Sequence, residues 1–81
     1  MSVTLGETEL RDQLMSTNEE FRRLAVEHQS YAEQLERLNS MSHLSEEQRI
    51  QEITLKKKKL MLKDQMYSIV QQYRKELAAK P

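Results

Sequence analysis

Apolar positions recur every three or four residues between residues 10 and 38, with polar residues between them. This spacing is typical of a helix that buries one narrow, coiled-coil-like seam. The positions in the series are Leu10, Leu14, Thr17, Phe21, Leu24, His28, Tyr31, Leu35 and Leu38. Residues 7–80 contain neither Gly nor Pro. The pattern therefore predicts a helix over about residues 7–39, preceded by a flexible leader of residues 1–6.

A possible break in this helix lies at residues 16–20. Ser16 with Glu19, and Thr17 with Glu20, both have the spacing of a capping box, which starts a helix. The apolar series nevertheless stays in register through Thr17. We expect one continuous helix with at most a mild kink, and leave a break at Ser16–Asn18 as the alternative.

Residues 39–43 are mostly polar and contain no strong helix former in a row, and they predict a turn over about residues 40–44. Ser45 and Gln48 have capping-box spacing, so a second helix should begin there and continue to about residue 79. At ~1.5 Å per residue, each helix would be about 50 Å long. Two helices of similar length joined by a short turn predict one all-α domain over residues 7–81, an antiparallel two-helix hairpin.

The second helix carries two apolar stripes on nearly opposite sides. We assign the first to the hairpin seam, whose predicted members are Leu14, Phe21, Leu24, His28, Tyr31, Leu35, Leu38, Ile50, Ile53 and Leu60. The second stripe, the predicted surface for a partner, contains Leu55, Leu62, Met66, Ile69, Tyr73 and Leu77. One neighbouring helix covers one stripe only, and a two-helix hairpin is marginally stable alone. We therefore expect the hairpin to assemble with itself into a helical-bundle oligomer, a dimer or tetramer, or to bind another protein. The same seams would be buried whether each hairpin closes on itself or exchanges helices between subunits.

The chain has no net charge, but its two halves differ. Residues 7–39 carry eight acidic and four basic residues, whereas residues 45–81 carry five acidic and nine basic ones. Lys56–Lys59 and Lys63 supply much of the positive charge, and Lys56, Lys58 and Lys63 form a candidate nucleic-acid patch. Successive helical residues point in different directions, and no stacking aromatic residue adjoins the run. We therefore favour the interpretation that these lysines set helix register within a hairpin or oligomer, with nucleic-acid binding as the alternative.

Residues for catalysis are not apparent. We find no nucleophile paired with a base, no glycine-rich phosphate loop and no set of metal ligands, so we expect no enzyme activity, cofactor, metal ion or small-molecule substrate. The chain has no cysteine, and none of its apolar runs is longer than Leu60–Leu62. We therefore expect a protein of the cytoplasm without a membrane span.

Several segments in a fixed order carry a resemblance to a known family. They are Phe21–Leu24, His28, Tyr31, Leu35, Leu44–Glu47, Leu55–Leu60 and Leu62–Met66. Together they resemble the YdcH-like family of small bacterial proteins, over roughly residues 10–73. The resemblance implies a short cytoplasmic helical hairpin of unknown function and no catalytic residues. The sequence thus favours a non-catalytic assembly or adaptor protein that works through protein–protein interaction. A nucleic-acid-associated regulator is the alternative.

Overall fold

The computed structural model describes residues 6–79, which form three α-helices and no strand. Helix α1 spans Glu7–Thr17, α2 spans Glu19–Asn39 and α3 spans Glu46–Ala79. The all-α prediction is confirmed, whereas the prediction of two helices is wrong. Residues 1–5 of the predicted leader lie outside the described residues. None of the helices within residues 6–79 combines the length and apolar character needed to cross a membrane.

The first predicted helix is broken at Asn18. This residue is extended (φ −116°, ψ 109°), and its side-chain oxygen accepts a hydrogen bond of 2.9 Å from the Phe21 N–H. Asn18 is therefore the N-cap of α2. The two capping boxes suggested by Ser16 and Thr17 do not form, because both hydroxyls donate to carbonyl oxygens four residues earlier. The prediction of a continuous helix over residues 7–39 is wrong.

The break lets α1 pack against the far end of the hairpin. Leu10, Leu14, Phe21 and Val70 form one buried cluster, with Met66, Ile69 and Tyr73 packed against it. In a straight helix Leu10 and Phe21 would lie about 16 Å apart along the axis, whereas the α3 segment 66–73 spans about 10 Å. Because the axis of α1 is not collinear with that of α2, both buried leucines of α1 can contact this segment.

Two polar side chains hold α1 in this position through three hydrogen bonds. The Arg22 guanidinium donates to the carbonyl oxygens of Met15 (2.8 Å) and Ser16 (3.3 Å), which belong to the last turn of α1. The positive charge also suits the negative end of the α1 dipole. The Tyr73 hydroxyl donates to the Gln13 side chain at 2.7 Å. The break at Asn18 is thus stabilised from both α2 and α3.

The turn end of the hairpin has a second buried cluster. Leu35, Leu38 and Leu55 form it, and Tyr31 and Leu44 pack against it. Phe21 meets Val70 at the other end, so α2 and α3 run antiparallel. The capping box of Ser45 is confirmed: the Gln48 N–H donates to the Ser45 hydroxyl (3.1 Å), and the Ser45 N–H donates to the Gln48 side chain (2.9 Å).

The two faces of α3 are assigned in the opposite way to the sequence-based interpretation. Leu55, Leu62 and Val70 are buried, and Met66, Ile69 and Tyr73 are partly buried on the same side. Ile50, Ile53 and Leu60, which were assigned to the seam, are more than half exposed. The reason is that their stripe contains Lys57 and Asp64, whose burial without partners would be costly. Of the former partner stripe only Leu77, at the far end, is exposed.

This assignment predicts different stabilities for two alanine variants of α3. Leu55→Ala should lower the free energy of unfolding by about 2–5 kcal/mol, because it leaves a cavity in the buried cluster. Ile53→Ala should change it by less than about 0.5 kcal/mol at low protein concentration, because the side chain already contacts water. Urea unfolding followed by circular dichroism measures both values. A larger loss for Ile53→Ala than for Leu55→Ala would contradict the observed packing.

Candidate interaction surfaces

The side of α3 that faces away from α2 is the main unpaired apolar surface of the described chain. We call it the outer face. It consists of Ile50, Ile53, Lys57, Leu60, Met61, Asp64 and Tyr67. The five apolar or aromatic members are 53–64% exposed. Their spacing places them on one side of a helix, along about 26 Å of its axis, directly opposite the buried residues.

Charge is distributed unevenly around the outer face. Along one edge lie Arg49, Lys56 and Lys63, seven residues apart and all exposed. The opposite edge, formed by Thr54, Met61 and Ser68, carries no charge along the length of the apolar stripe, and the acid of the same row, Glu47, lies just before the stripe begins. Lys57 and Asp64 lie between the apolar residues, also seven apart. The outer face is therefore an apolar stripe with one basic edge and two charges of opposite sign in its centre.

The structure separates the three lysines of the candidate nucleic-acid patch. Lys56 and Lys63 line a shallow groove between α2 and α3, together with Lys59, Leu60 and Glu36. Lys58 instead lies over the ring of Tyr31, with its ammonium 5.7 Å from the ring centre, a cation–π contact. Lys56 also pairs with Glu52 at 3.5 Å. The three lysines that share this groove are thus Lys56, Lys59 and Lys63. Their spacing of three and four residues places them on one side of a helix, and this was the sequence signal for including Lys59.

His28, a predicted seam residue, is partly buried on α2. Burial lowers its pKa below the ordinary value of 6.5, and the positive charges of Lys59, Lys63 and Arg11 lower the pKa further. The residues responsible come from α1 and α3, so the neutral imidazole is favoured only when the three helices are packed together. Among the described residues, no group of three His, Cys, Asp or Glu side chains could hold a metal ion.

The other predicted seam residues of α1 and α2, except Leu24, belong to the two buried clusters or pack against them. Leu14, Phe21, Leu24, Leu35 and Leu38 are buried, and Tyr31 is partly buried. Val70, one of the most completely buried residues, belonged to neither predicted stripe. Val70 follows Ile69 and lies four residues after Met66, and both belong to the predicted partner stripe. This helical spacing was the sequence signal that could have placed Val70 on the same side.

A family model described as "Protein of unknown function (DUF465)" matches residues 21–70. YdcH-like proteins belong to this family, which confirms the resemblance found in the sequence. The matched segment begins at Phe21 and ends at Val70, two members of the same buried cluster, and α1 lies outside it. No curated protein and no solved structure matches the chain.

The lowered pKa of His28 predicts a pH-dependent stability. As pH falls below about 6.5, the unfolded chain binds a proton at this residue before the folded chain does, so unfolding becomes easier. The loss of stability accumulates as the pH falls from the pKa of His28 in the unfolded chain to its lower pKa in the folded chain. His28→Gln removes it, so the stability of the wild type relative to this variant should decrease from about pH 7.5 to about pH 5.5.

Urea midpoints measured across this range test the prediction. Lys59→Gln, which removes one of the positive charges near His28, should show a weaker pH dependence than the wild type. If the urea midpoints of the wild type and His28→Gln change in parallel with pH, His28 does not contribute to the pH dependence of stability.

Proposed function

Because the chain belongs to the DUF465 family, whose function is unknown, we propose a function from its surface: it is a non-catalytic assembly or adaptor module that binds a protein helix through the outer face of α3. The observation that carries the proposal is the row of five large apolar side chains, each 53–64% exposed. Contiguous apolar patches of this kind are typical of interaction sites. Side chains spaced by three and four residues suit a helical partner.

The surface differs from the one expected from the sequence. Most residues of the former partner stripe are used inside the chain, so the outer face replaces that stripe. Its occupant is either a second copy, giving the expected dimer or tetramer, or another protein. Both cases remove the same side chains from water, so one experiment can test the surface before the partner is known.

A photocrosslinking amino acid placed in the outer face tests this function in the cell. At Ile53, Leu60 or Tyr67 it should form adducts of discrete mass, because a bound partner lies within bond-forming distance of these positions. Gel electrophoresis and mass spectrometry then show whether the adduct contains a second copy or another protein.

The matched control is Val26 on α2, which is 63% exposed and outside the outer face. It should give no adduct, or one that differs from the outer-face adducts. If the three outer-face positions form no protein adduct while the chain is expressed and folded, the proposal is wrong.

A nucleic-acid-associated role is the second candidate. The observation that favours it is the shared groove of Lys56, Lys59 and Lys63. It requires retention of RNA or DNA at low salt that weakens steeply as salt rises. Lys56→Glu combined with Lys63→Glu would abolish this retention, whereas Met61→Ser, in the outer face but outside the lining of the groove, would leave it unchanged.

A further inference from the structure

We infer that the outer face of α3 binds the side of an amphipathic helix with an acidic edge, in preference to a second copy of this chain. The inference rests on the proposed function and adds the chemistry of the partner. It follows from where the charges lie on and beside the apolar stripe.

A second copy in parallel orientation would bring like charges together. In a parallel pair, each residue of the interface faces its own counterpart. Lys57 would then meet Lys57 of the other copy, and Asp64 would meet Asp64, in the middle of the apolar contact. Both contacts would be repulsive and partly removed from water, so this orientation is disfavoured.

A second copy in antiparallel orientation would meet a different conflict. The two-fold axis of an antiparallel pair is perpendicular to the helices, so each edge of the interface faces the same edge of the other copy. The basic edge of Arg49, Lys56 and Lys63 would face itself, and the opposite edge, with Glu47 at its start, would also face itself and so could not compensate. Glu52 balances only Lys56, through their pair at 3.5 Å. An antiparallel pair would bring Lys57 toward Asp64 of the other copy, but it would leave the basic edge facing itself, so neither orientation of a self-pair satisfies all of the charges.

An anionic membrane and a nucleic acid each fit part of the surface. A helix lying in a membrane interface buries the middle of its apolar stripe, and here the middle contains Lys57 and Asp64. A nucleic acid would use the basic edge and leave the aliphatic side chains of the stripe exposed. Tyr67 is the one exposed aromatic residue of the outer face available for stacking on a base.

A helix from another protein can satisfy the whole surface. Its apolar residues would pack on Ile50, Ile53, Leu60 and Tyr67. An acidic edge would face Arg49, Lys56 and Lys63. Within its stripe, an acidic residue would meet Lys57 and a basic residue would meet Asp64. To cover about 26 Å, the partner helix needs about five turns. Opposite charges along one edge also select the orientation of the partner.

Two designed peptides test the inference. Each is an amphipathic helix of about 21 residues with leucine at the two core positions of every heptad. One carries glutamate at both edges of its stripe and the other carries lysine. Fluorescence anisotropy of labelled peptide, titrated with the purified chain at roughly 50 mM salt, should show binding of the glutamate peptide. The lysine peptide should bind about tenfold more weakly or not at all, because three ion pairs become like-charge contacts. The difference should shrink at roughly 500 mM salt.

Variants of the chain establish where the peptide binds. Leu60→Glu should abolish binding, whereas Val26→Glu, at an equally exposed position on α2, should leave it unchanged. The double variant with Lys56→Glu and Lys63→Glu should bind the lysine peptide better than the glutamate peptide. Circular dichroism checks that each variant stays helical, as expected for substitutions of exposed side chains.

The other occupants give distinct results. Equal binding of the two peptides, or binding unaffected by Leu60→Glu, would overturn the inference. So would retention on phosphatidylglycerol vesicles or on RNA without peptide binding. If light scattering finds a dimer that Leu60→Glu converts to a monomer, a second copy occupies the outer face. In that case the proposed function stands and the acidic partner is wrong. The absence of any protein adduct in the crosslinking experiment would instead contradict both the proposed function and the acidic partner.

Discussion

The fold depends on the burial of one α3 residue, Val70, by side chains from the other two helices. Leu10 and Leu14 reach it from α1, and Phe21 reaches it from α2. Short helices are marginal in water, and most of their stability comes from packing of an apolar face. An α1 of 11 residues could not be stable without this contact. The cluster also explains why the chain leaves the helical conformation at Asn18, since a straight helix would carry Leu10 past the segment that it packs against.

The same cluster decides which side of α3 is available to a partner. Because α1 and α2 both pack on the side of Leu62, Met66 and Val70, the opposite side has no covering element within the described chain. Neighbouring helices can pack on more than one side of a helix, but here α1 and α2 pack on one side of α3 only. The outer face is therefore a direct consequence of how the core is built, and its exposed apolar residues have no role in the core.

Electrostatics then distinguishes among the possible partners. The basic residues of α3 leave the hairpin core apolar, and they lie at its margin or between the residues of the outer face. Placed there, charges contribute little to the stability of the chain itself, since exposed pairs are worth less than about 1 kcal/mol. Their larger effect is on specificity, because like charges in either self-pairing orientation oppose a second copy and opposite charges favour an acidic helix. These positive charges also affect folding through His28, because burial and the charges of Lys59, Lys63 and Arg11 lower its pKa and favour the neutral imidazole.

The sequence by itself determined the helical content, the turn near residues 40–44, the cap at Ser45 and the buried positions of α2. Each of these depends on local chemistry: the absence of Gly and Pro, a capping side chain, and a single apolar stripe with no rival. Tertiary structure decided the break at Asn18 and the orientation of α3. Local signals at residues 16–20 permitted either a break or a continuous helix, and the contacts of α1 with Val70, Arg22 and Tyr73 select the break. Helical periodicity shows which residues share a face, but α3 has two apolar faces. Which of them meets α2 was settled by the cost of burying Lys57 and Asp64 and by the packing of all three helices at one end.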